Sequence, residues 1–178
     1  MDTKTVMELG EQIGFEHIGE LNLSALIFRE EVRSMCSRDR CERFNTSWSC
    51  PPRVGDLALI TERASRFSKG VIVQTTVQME DSFDLESIAR CEKLHKDRFG
   101  TLVRQLKMEQ TDMLPMASGT CTLCRKCTYP SRPCRHPDRV FPSMEAYGLL
   151  VRDVCEKSGL KYNYGNRMMT FTSLVLFN

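Results

Sequence analysis

The chain has 178 residues, 41% hydrophobic and 27% charged, which is typical of one globular domain, so we predict a single domain over residues 1–178. Its formal net charge of +2 excludes a general electrostatic attraction to nucleic acid, and we predict no nucleic-acid partner. No apolar run approaches the roughly 20 residues of a membrane-spanning helix, and residues 1–17 lack the apolar stretch of a secretory signal, so we predict a cytoplasmic protein without a membrane partner.

Two helices and one strand are predicted in the first half of the chain. Residues 3–14 place Val6, Leu9 and Ile13 on one face, which indicates a short helix. The segment GDLALITERASRF predicts an amphipathic helix with Asp56 as its N-cap, because its apolar residues recur at intervals of three and four. The segment VIVQTTVQM is rich in β-branched residues and predicts a strand.

The second half adds two helices and a closing strand. Residues 84–109 predict a helix that is bent or interrupted near Gly100, and a further helix is predicted to begin at Ser143 and to stop near Gly159. The segment MMTFTSLVLF predicts the last strand. We therefore predict an α+β fold, in which a small, mostly antiparallel sheet packs with helices and carries two irregular cysteine-rich metal-binding loops at 36–52 and 119–139. The order of the strands does not follow from the sequence.

Cysteine is the most informative residue type in this chain. There are nine cysteines, an odd number, so they cannot all pair within one molecule. Disulfides are also rare in a reducing cytoplasm. Metal binding or redox chemistry is therefore the leading explanation for the cysteines.

The stretch GTCTLCRKCTYPSRPCRHP, residues 119–137, contains the densest group of thiols. Its four cysteines are Cys121, Cys124, Cys127 and Cys134. Three thiolates at successive spacings of three can reach three corners of an iron–sulfur cubane, and the fourth follows after a longer gap. Zinc sites more often use two separated Cys-x-x-Cys pairs, so this spacing favours a 4Fe–4S cluster over zinc.

Basic residues surround the same stretch. Four thiolates around a 4Fe–4S core leave net negative charge, so we predict that Arg125 and Arg135 stabilise the cofactor. The alternative is that these arginines are solvated loop charges or a patch for an acidic partner.

The first block, MCSRDRCERFNTSWSCPP, holds Cys36, Cys41 and Cys50, which we predict as a second ligand set. Trp48 either shields a cofactor from water or is an ordinary core tryptophan. Three thiols leave one coordination position open, unless another residue fills it. The candidates for that fourth position are Cys91, His95, His136 and Cys155, although Cys91 and Cys155 also fit buried helix positions.

The two blocks together resemble an uncharacterised, cysteine-rich family described as predicted metal-binding proteins of anaerobic prokaryotes. The shared pattern in the first block is Cys36, Cys41, Phe44, Trp48, Cys50, Pro51, Pro52 and Gly55. In the second it is Gly119, Cys121, Cys124, Cys127, Pro133, Cys134, Arg135 and Pro137, followed by SMEAYG at 143–148. The resemblance runs from about residue 25 onward and implies metal binding at the cysteines, without a settled reaction. Phe44 is the aromatic residue of the pattern, although tyrosine is commoner at that position. Glu42 stands where glycine is common, and this departure bears on the turn at that point.

Three functions are compatible with this pattern. The first is electron transfer to a partner oxidoreductase through one or possibly two 4Fe–4S clusters. The second is a redox or Lewis-acid enzyme with an open iron on the three-cysteine block. The third is a binding module whose loops are stapled by zinc or by a cluster. No Gly-x-Gly-x-x-Gly or phosphate-loop motif occurs, so a nucleotide cofactor bound by those routes is not expected.

Overall fold

The computed structural model describes residues 1–38, 41–81, 84–109 and 112–178. Within these ranges the helices are α1 Thr3–Ile13, α2 Glu30–Ser37, α3 Leu57–Ser65, α4 Leu85–Glu109 and α5 Val151–Lys157. The strands are β1 His17–Glu20, β2 Lys69–Gln78, β3 Met113–Met116 and β4 Met168–Phe177. The predicted α+β class is confirmed.

The four strands form one antiparallel sheet in the order β1-β2-β4-β3. Its centre is the long pair of β2 and β4, which runs from Lys69 opposite Phe177 to Gln78 opposite Met168. Because side chains alternate across a strand, the two central strands present apolar residues to both faces. The sheet is therefore a middle layer with a core on each side.

Helices cover both faces of the sheet. On one face, Val71 and Val73 of β2 pack with Phe99 and Leu102 of α4, and α1 joins the same core through Val6. The opposite face forms a second core with α3 and α5. Its buried members include Ile60, Ile72, Val154, Leu174 and Leu176. The cysteine loops 36–52 and 119–139 are the long connections that leave these layers.

Most of the predicted elements are confirmed, but the predicted interruption of α4 near Gly100 is wrong. This helix runs through Gly100 without interruption over 25 residues. Phe99, Leu102 and Val103 are almost fully buried against the sheet, and this packing outweighs the weak helix propensity of one glycine. No helix in the described ranges is long and apolar enough to cross a membrane.

The predicted start of the last helix at Ser143 is also wrong, because residues 144–148 form turns and α5 begins only at Val151 and ends at Lys157, before Gly159. The Ser143 hydroxyl does accept a hydrogen bond from the Ala146 N–H, as a cap would, at 3.1 Å. Gly148 then adopts φ +88° and its carbonyl accepts the Arg29 N–H at 2.8 Å, so the chain cannot continue as a helix. This contact fixes the turn beside the start of α2.

Candidate metal centre at the two cysteine loops

The second cysteine loop is closed at its base beside β3. The Ala117 N–H donates to the Pro142 carbonyl at 2.8 Å, and the Met144 N–H donates to the Ala117 carbonyl at 3.3 Å. Ala117 and Ser143 also form an isolated parallel bridge. The loop thus leaves the sheet and returns to the same point, which brings its two ends together.

All four predicted ligands of the second loop are free and partly buried. Burial raises the pKa of the Cys121 thiol, and three neighbouring thiols raise it further. Those neighbours are Cys134, Cys124 and Cys127. The structure therefore places near one another the four cysteines, which are at most 13 positions apart in the sequence.

Donor groups surround the sulfurs of this set. Burial raises the pKa of Cys127, but the backbone N–H groups of Tyr129 and Trp48 and the Ser47 hydroxyl outweigh burial and lower it overall. The His136 N–H donates to Cys134 Sγ at 3.4 Å. Such donors favour the thiolate, which is the form that binds a metal.

The three cysteines of the first loop also lie near one another. Cys36 is on the last turn of α2, and burial followed by the neighbouring Cys41 and Cys50 thiols raises its pKa. Glu145 acts in the same direction, so its carboxylate also lies near this set. Sequence reasoning missed Glu145, because only the turn at 143–148 carries it back to α2.

Three of the residues considered for a fourth ligand are buried in the core. His95 is fully buried on α4, and its ring nitrogens lie 2.9 Å from Thr75 Oγ1 and 2.8 Å from Ser173 Oγ. Burial lowers its pKa to about 3 and keeps it neutral. Burial raises the pKa of both Cys91 and Cys155 to about 11, which agrees with their interpretation as buried helix residues.

The two cysteine loops meet at a pair of buried serines. Ser47 Oγ and Ser49 Oγ are 3.0 Å apart, and the Ser49 hydroxyl also accepts the Cys121 N–H at 3.3 Å. Burial raises the pKa of Cys50, in the first loop, and the Ser49 and Ser47 hydroxyls offset part of that rise; the Ser47 hydroxyl also helps to lower the pKa of Cys127, in the second. The Ser47 hydroxyl therefore interacts with both thiol sets. In the sequence, the only indication of this contact is that two serines directly precede Cys50 in Ser-Trp-Ser-Cys.

Trp48 packs between the two loops, and its role in shielding a cofactor stays a prediction. Its indole N–H donates to Thr128 Oγ1 at 3.3 Å, and its ring meets Tyr129 edge-to-face at a centroid separation of 5.1 Å. On another side the Arg53 guanidinium lies 4.9 Å from the ring centroid. The indole is only half-buried, so it joins the two loops at the surface.

The two predicted cofactor arginines occupy different environments. Arg135 is exposed, and its Nη1 donates to the Lys126 carbonyl at 3.0 Å, so this hydrogen bond links two distant positions of the same loop. Arg125 is exposed at the tip of the loop. A role for either side chain toward a cofactor stays a prediction.

The turn at Glu42 keeps the backbone form that glycine favours. Glu42 has φ +53°, in the left-handed region, although it carries a side chain. The departure from the family pattern at this position therefore changes the residue and leaves a left-handed turn in place.

The donors present fit a thiolate-bound metal group. Each loop gathers free cysteines, the second one adds N–H donors to sulfur, and soft thiolate ligands select iron–sulfur clusters, zinc or copper(I). In the ranges that the structure describes, no three Cys, His, Asp or Glu side chains already stand at the spacing of a single-ion site. The fit therefore lies in the type and proximity of the donors.

An α+β scaffold that holds two cysteine loops side by side defines a cysteine-rich protein with a candidate metal centre. The family model described as "Predicted metal-binding protein (DUF2284)" matches residues 19–177. The chain belongs to this predicted metal-binding family. Neither the curated proteins nor the solved structures contain a significant match.

Proposed function

We propose that the second loop binds one 4Fe–4S cluster and that the protein transfers electrons to a partner oxidoreductase. The ligands would be Cys121, Cys124, Cys127 and Cys134. The observation that carries the proposal is the convergence of these four free thiols on one loop, with N–H donors directed at their sulfurs. Such a cluster, when bound, supplies reversible one-electron chemistry.

The surroundings of the thiols support a redox role over a purely structural one. Hydrogen bonds to sulfur offset negative charge, which makes reduction easier and raises the reduction potential. Here Cys127 interacts with the N–H groups of Tyr129 and Trp48, and Cys134 accepts the N–H of His136. We propose that these donors set the potential of the centre.

The tip of the second loop is accessible to a partner protein. Leu123 is 37% exposed, and Arg125 and Lys126 beside it are exposed as well. Short separation from the surface favours electron exchange, and a basic rim attracts acidic surfaces. We therefore propose a redox partner with an acidic docking face.

The first loop supports a second candidate function. Cys36, Cys41 and Cys50 offer three thiols, and the Glu145 carboxylate lies near Cys36. This set would hold either a second cluster that shares electrons with the first, or a metal centre with a weakly held fourth position at which an enzyme binds substrate. The zinc-stapled binding module remains the alternative to both.

Anaerobic purification with iron, acid-labile sulfide and zinc counts, followed by electron paramagnetic resonance and a potentiometric titration, tests the proposal. We expect about four iron and four sulfide per centre and a reversible one-electron signal. A signal perturbed by small molecules would instead favour the enzyme. Stoichiometric zinc without sulfide would overturn the proposal in favour of the stapled module.

Single ligand variants assign the centre to its loop. Cys124→Ser and Cys127→Ser should each lower both the iron content and the stability, because ligation free energy is also folding free energy. Cys91→Ala is the matched control, since Cys91 lies in the core of the α4 side beyond both thiol sets. Full iron retention in both serine variants would refute the ligand assignment, and unaltered metal content in Cys50→Ser would show that the first loop is not a ligand set.

A further inference from the structure

A cavity of about 770 Å³ lies between α4 and the second cysteine loop. Its volume is within the range of pockets that hold small organic molecules. Phe99, Val103 and Phe141 form an apolar part of its wall, and Phe99 meets Phe141 edge-to-face at a centroid separation of 5.9 Å. Residues 120–123 form another wall, so Cys121 borders the cavity.

Gly100 lines this cavity from the middle of α4. A β-carbon added at Gly100 would meet no other atom within 4 Å, so a side chain has room there. Glycine is unfavourable inside a helix relative to alanine or leucine. A glycine at this point therefore leaves open a space that most helix-forming residues would fill.

The charges around the cavity are mostly positive. Its lining includes the basic residues Lys93, Lys96, Arg104, Lys107 and Arg139 and the acidic residues Glu92, Asp97 and Asp138. Lys93 pairs with Asp97, and Lys96 pairs with Glu92. In the part of the chain that the structure describes, Arg104, Lys107 and Arg139 form no ion pair. Asp138 forms no ion pair among the described residues either, so three unpaired cations and one unpaired anion leave the lining with a net positive charge.

Lys96 connects the cavity to the cysteine loop. Its ammonium donates to Glu92 Oε1 and to the Thr120 carbonyl, directly before Cys121. The side chain is only 17% exposed, so this link is a fixed part of the wall. An occupant of the cavity would thus contact the same segment that carries the first thiol of the second loop.

We propose that this cavity binds a small organic anion with an apolar portion, such as a carboxylate or phosphate ester, beside Cys121. The apolar portion packs on the partly exposed Phe141 and Leu123, which line the cavity together with the buried Phe99 and Val103, and the anionic group faces Arg104 and Arg139. The inference goes beyond electron transfer and holds whichever metal the cysteines bind.

Equilibrium dialysis of the metal-containing protein against 8-anilinonaphthalene-1-sulfonate tests the inference, with N-phenyl-1-naphthylamine as a probe that lacks the sulfonate. We expect saturable binding of one anionic probe per chain and weaker binding of the neutral probe. In Gly100→Leu the affinity for each probe should fall at least about tenfold. Gly100→Ala, which adds only a methyl group, should bind within about threefold of the wild type. Gly100→Gln is a second blocking variant, and thermal melts check that each variant is folded.

Charge variants separate the two ends of the cavity. Arg104→Gln and Arg139→Gln should lower the affinity for the anionic probe and leave the affinity for the neutral probe unchanged. Lys157→Gln on α5 should change neither affinity. Unaltered binding in folded Gly100→Leu and Gly100→Gln, or equal effects of the arginine variants on both probes, would overturn the inference. Because the measurement needs no electron transfer, these outcomes are independent of the iron and sulfide counts that test the proposed function.

Discussion

The Trp48 indole N–H donates a hydrogen bond to the Thr128 hydroxyl, and this contact joins two cysteine loops separated by 80 positions in sequence. The Thr128 hydroxyl in turn donates to the Pro133 carbonyl at 2.9 Å, which links the contact to the segment before Cys134. The Tyr129 hydroxyl adds a second connection, to Asn45 Oδ1 at 3.0 Å. The loops consequently form one unit, in which a disturbance of either should reach the other.

Removing the indole donor should weaken this unit. Trp48→Phe keeps an aromatic ring but loses the N–H, so we expect the free energy of unfolding to fall by about 1 kcal/mol for the lost hydrogen bond. Urea denaturation of Trp48→Phe, Thr128→Val and the double variant measures the effect. Because the two side chains share one bond, their costs should not add, and strictly additive costs would contradict the contact.

Replacement of Ser47 should alter the chemistry of both thiol sets at once. Ser47→Ala removes a hydroxyl that interacts with Cys50 and Cys127, and loss of a donor to sulfur makes reduction harder. In the metal-loaded protein we expect a more negative reduction potential with unchanged metal content, measured by potentiometric titration. Ser131→Ala, at an exposed position of the second loop, is the control. Identical potentials for the two variants would remove Ser47 from this role.

Acid should destabilise the protein through His95. The folded protein holds His95 neutral down to a pKa of about 3, whereas the unfolded chain binds a proton near pH 6.5. Acidification below pH 6.5 therefore favours the unfolded state, by up to about 1.4 kcal/mol for each pH unit. Urea denaturation between pH 5 and pH 7 should show a steeper loss for the wild type than for His95→Gln, which has no proton to bind. Parallel pH profiles would show that His95 does not contribute.

Replacing Gly148 or Gly159 with alanine should lower the free energy of unfolding by unequal amounts. Both glycines have positive φ, +88° at Gly148 and +75° at Gly159. A β-carbon added at Gly148 would lie 2.8 Å from the Arg29 carbonyl oxygen, whereas a β-carbon added at Gly159 would meet no atom within 4 Å. We expect Gly159→Ala to cost about 1 kcal/mol for the backbone alone, and Gly148→Ala to cost more because it adds a clash. Equal midpoints in urea denaturation would contradict the tight contact at Arg29.

Local sequence patterns predicted the elements that local physics determines. The β-branched runs of β2 and β4 and the helical spacing of α1 and α4 needed no knowledge of distant contacts. The strands β1 and β3 have four residues each, and β3 includes Pro115, so only their pairing partners make them strands. The helix expected at Ser143 failed for the same reason, because a distant backbone contact at Arg29 fixes the turn.

The cysteine spacing predicted two sets of thiols, and within each set the thiols lie near enough to raise one another's pKa, while their role as metal ligands stays a prediction. What the spacing could not provide is the relation between the two sets. The shared hydroxyl of Ser47 and the approach of Glu145 depend on how loops far apart in sequence dock. Polar residues of this kind have no periodicity to reveal them, and only the tertiary fold brings them to the thiols.

The position of β4 in the sheet has a consequence for biogenesis. This strand pairs with both β2 and β3, so the sheet cannot close until residues 168–177 have left the ribosome. Both cysteine loops are synthesised earlier, so they leave the ribosome before the sheet that positions them is complete. If a metal were loaded onto the thiols during translation, the sheet that positions the two loops would not yet be formed. This topology therefore favours loading after residues 168–177 have joined the sheet.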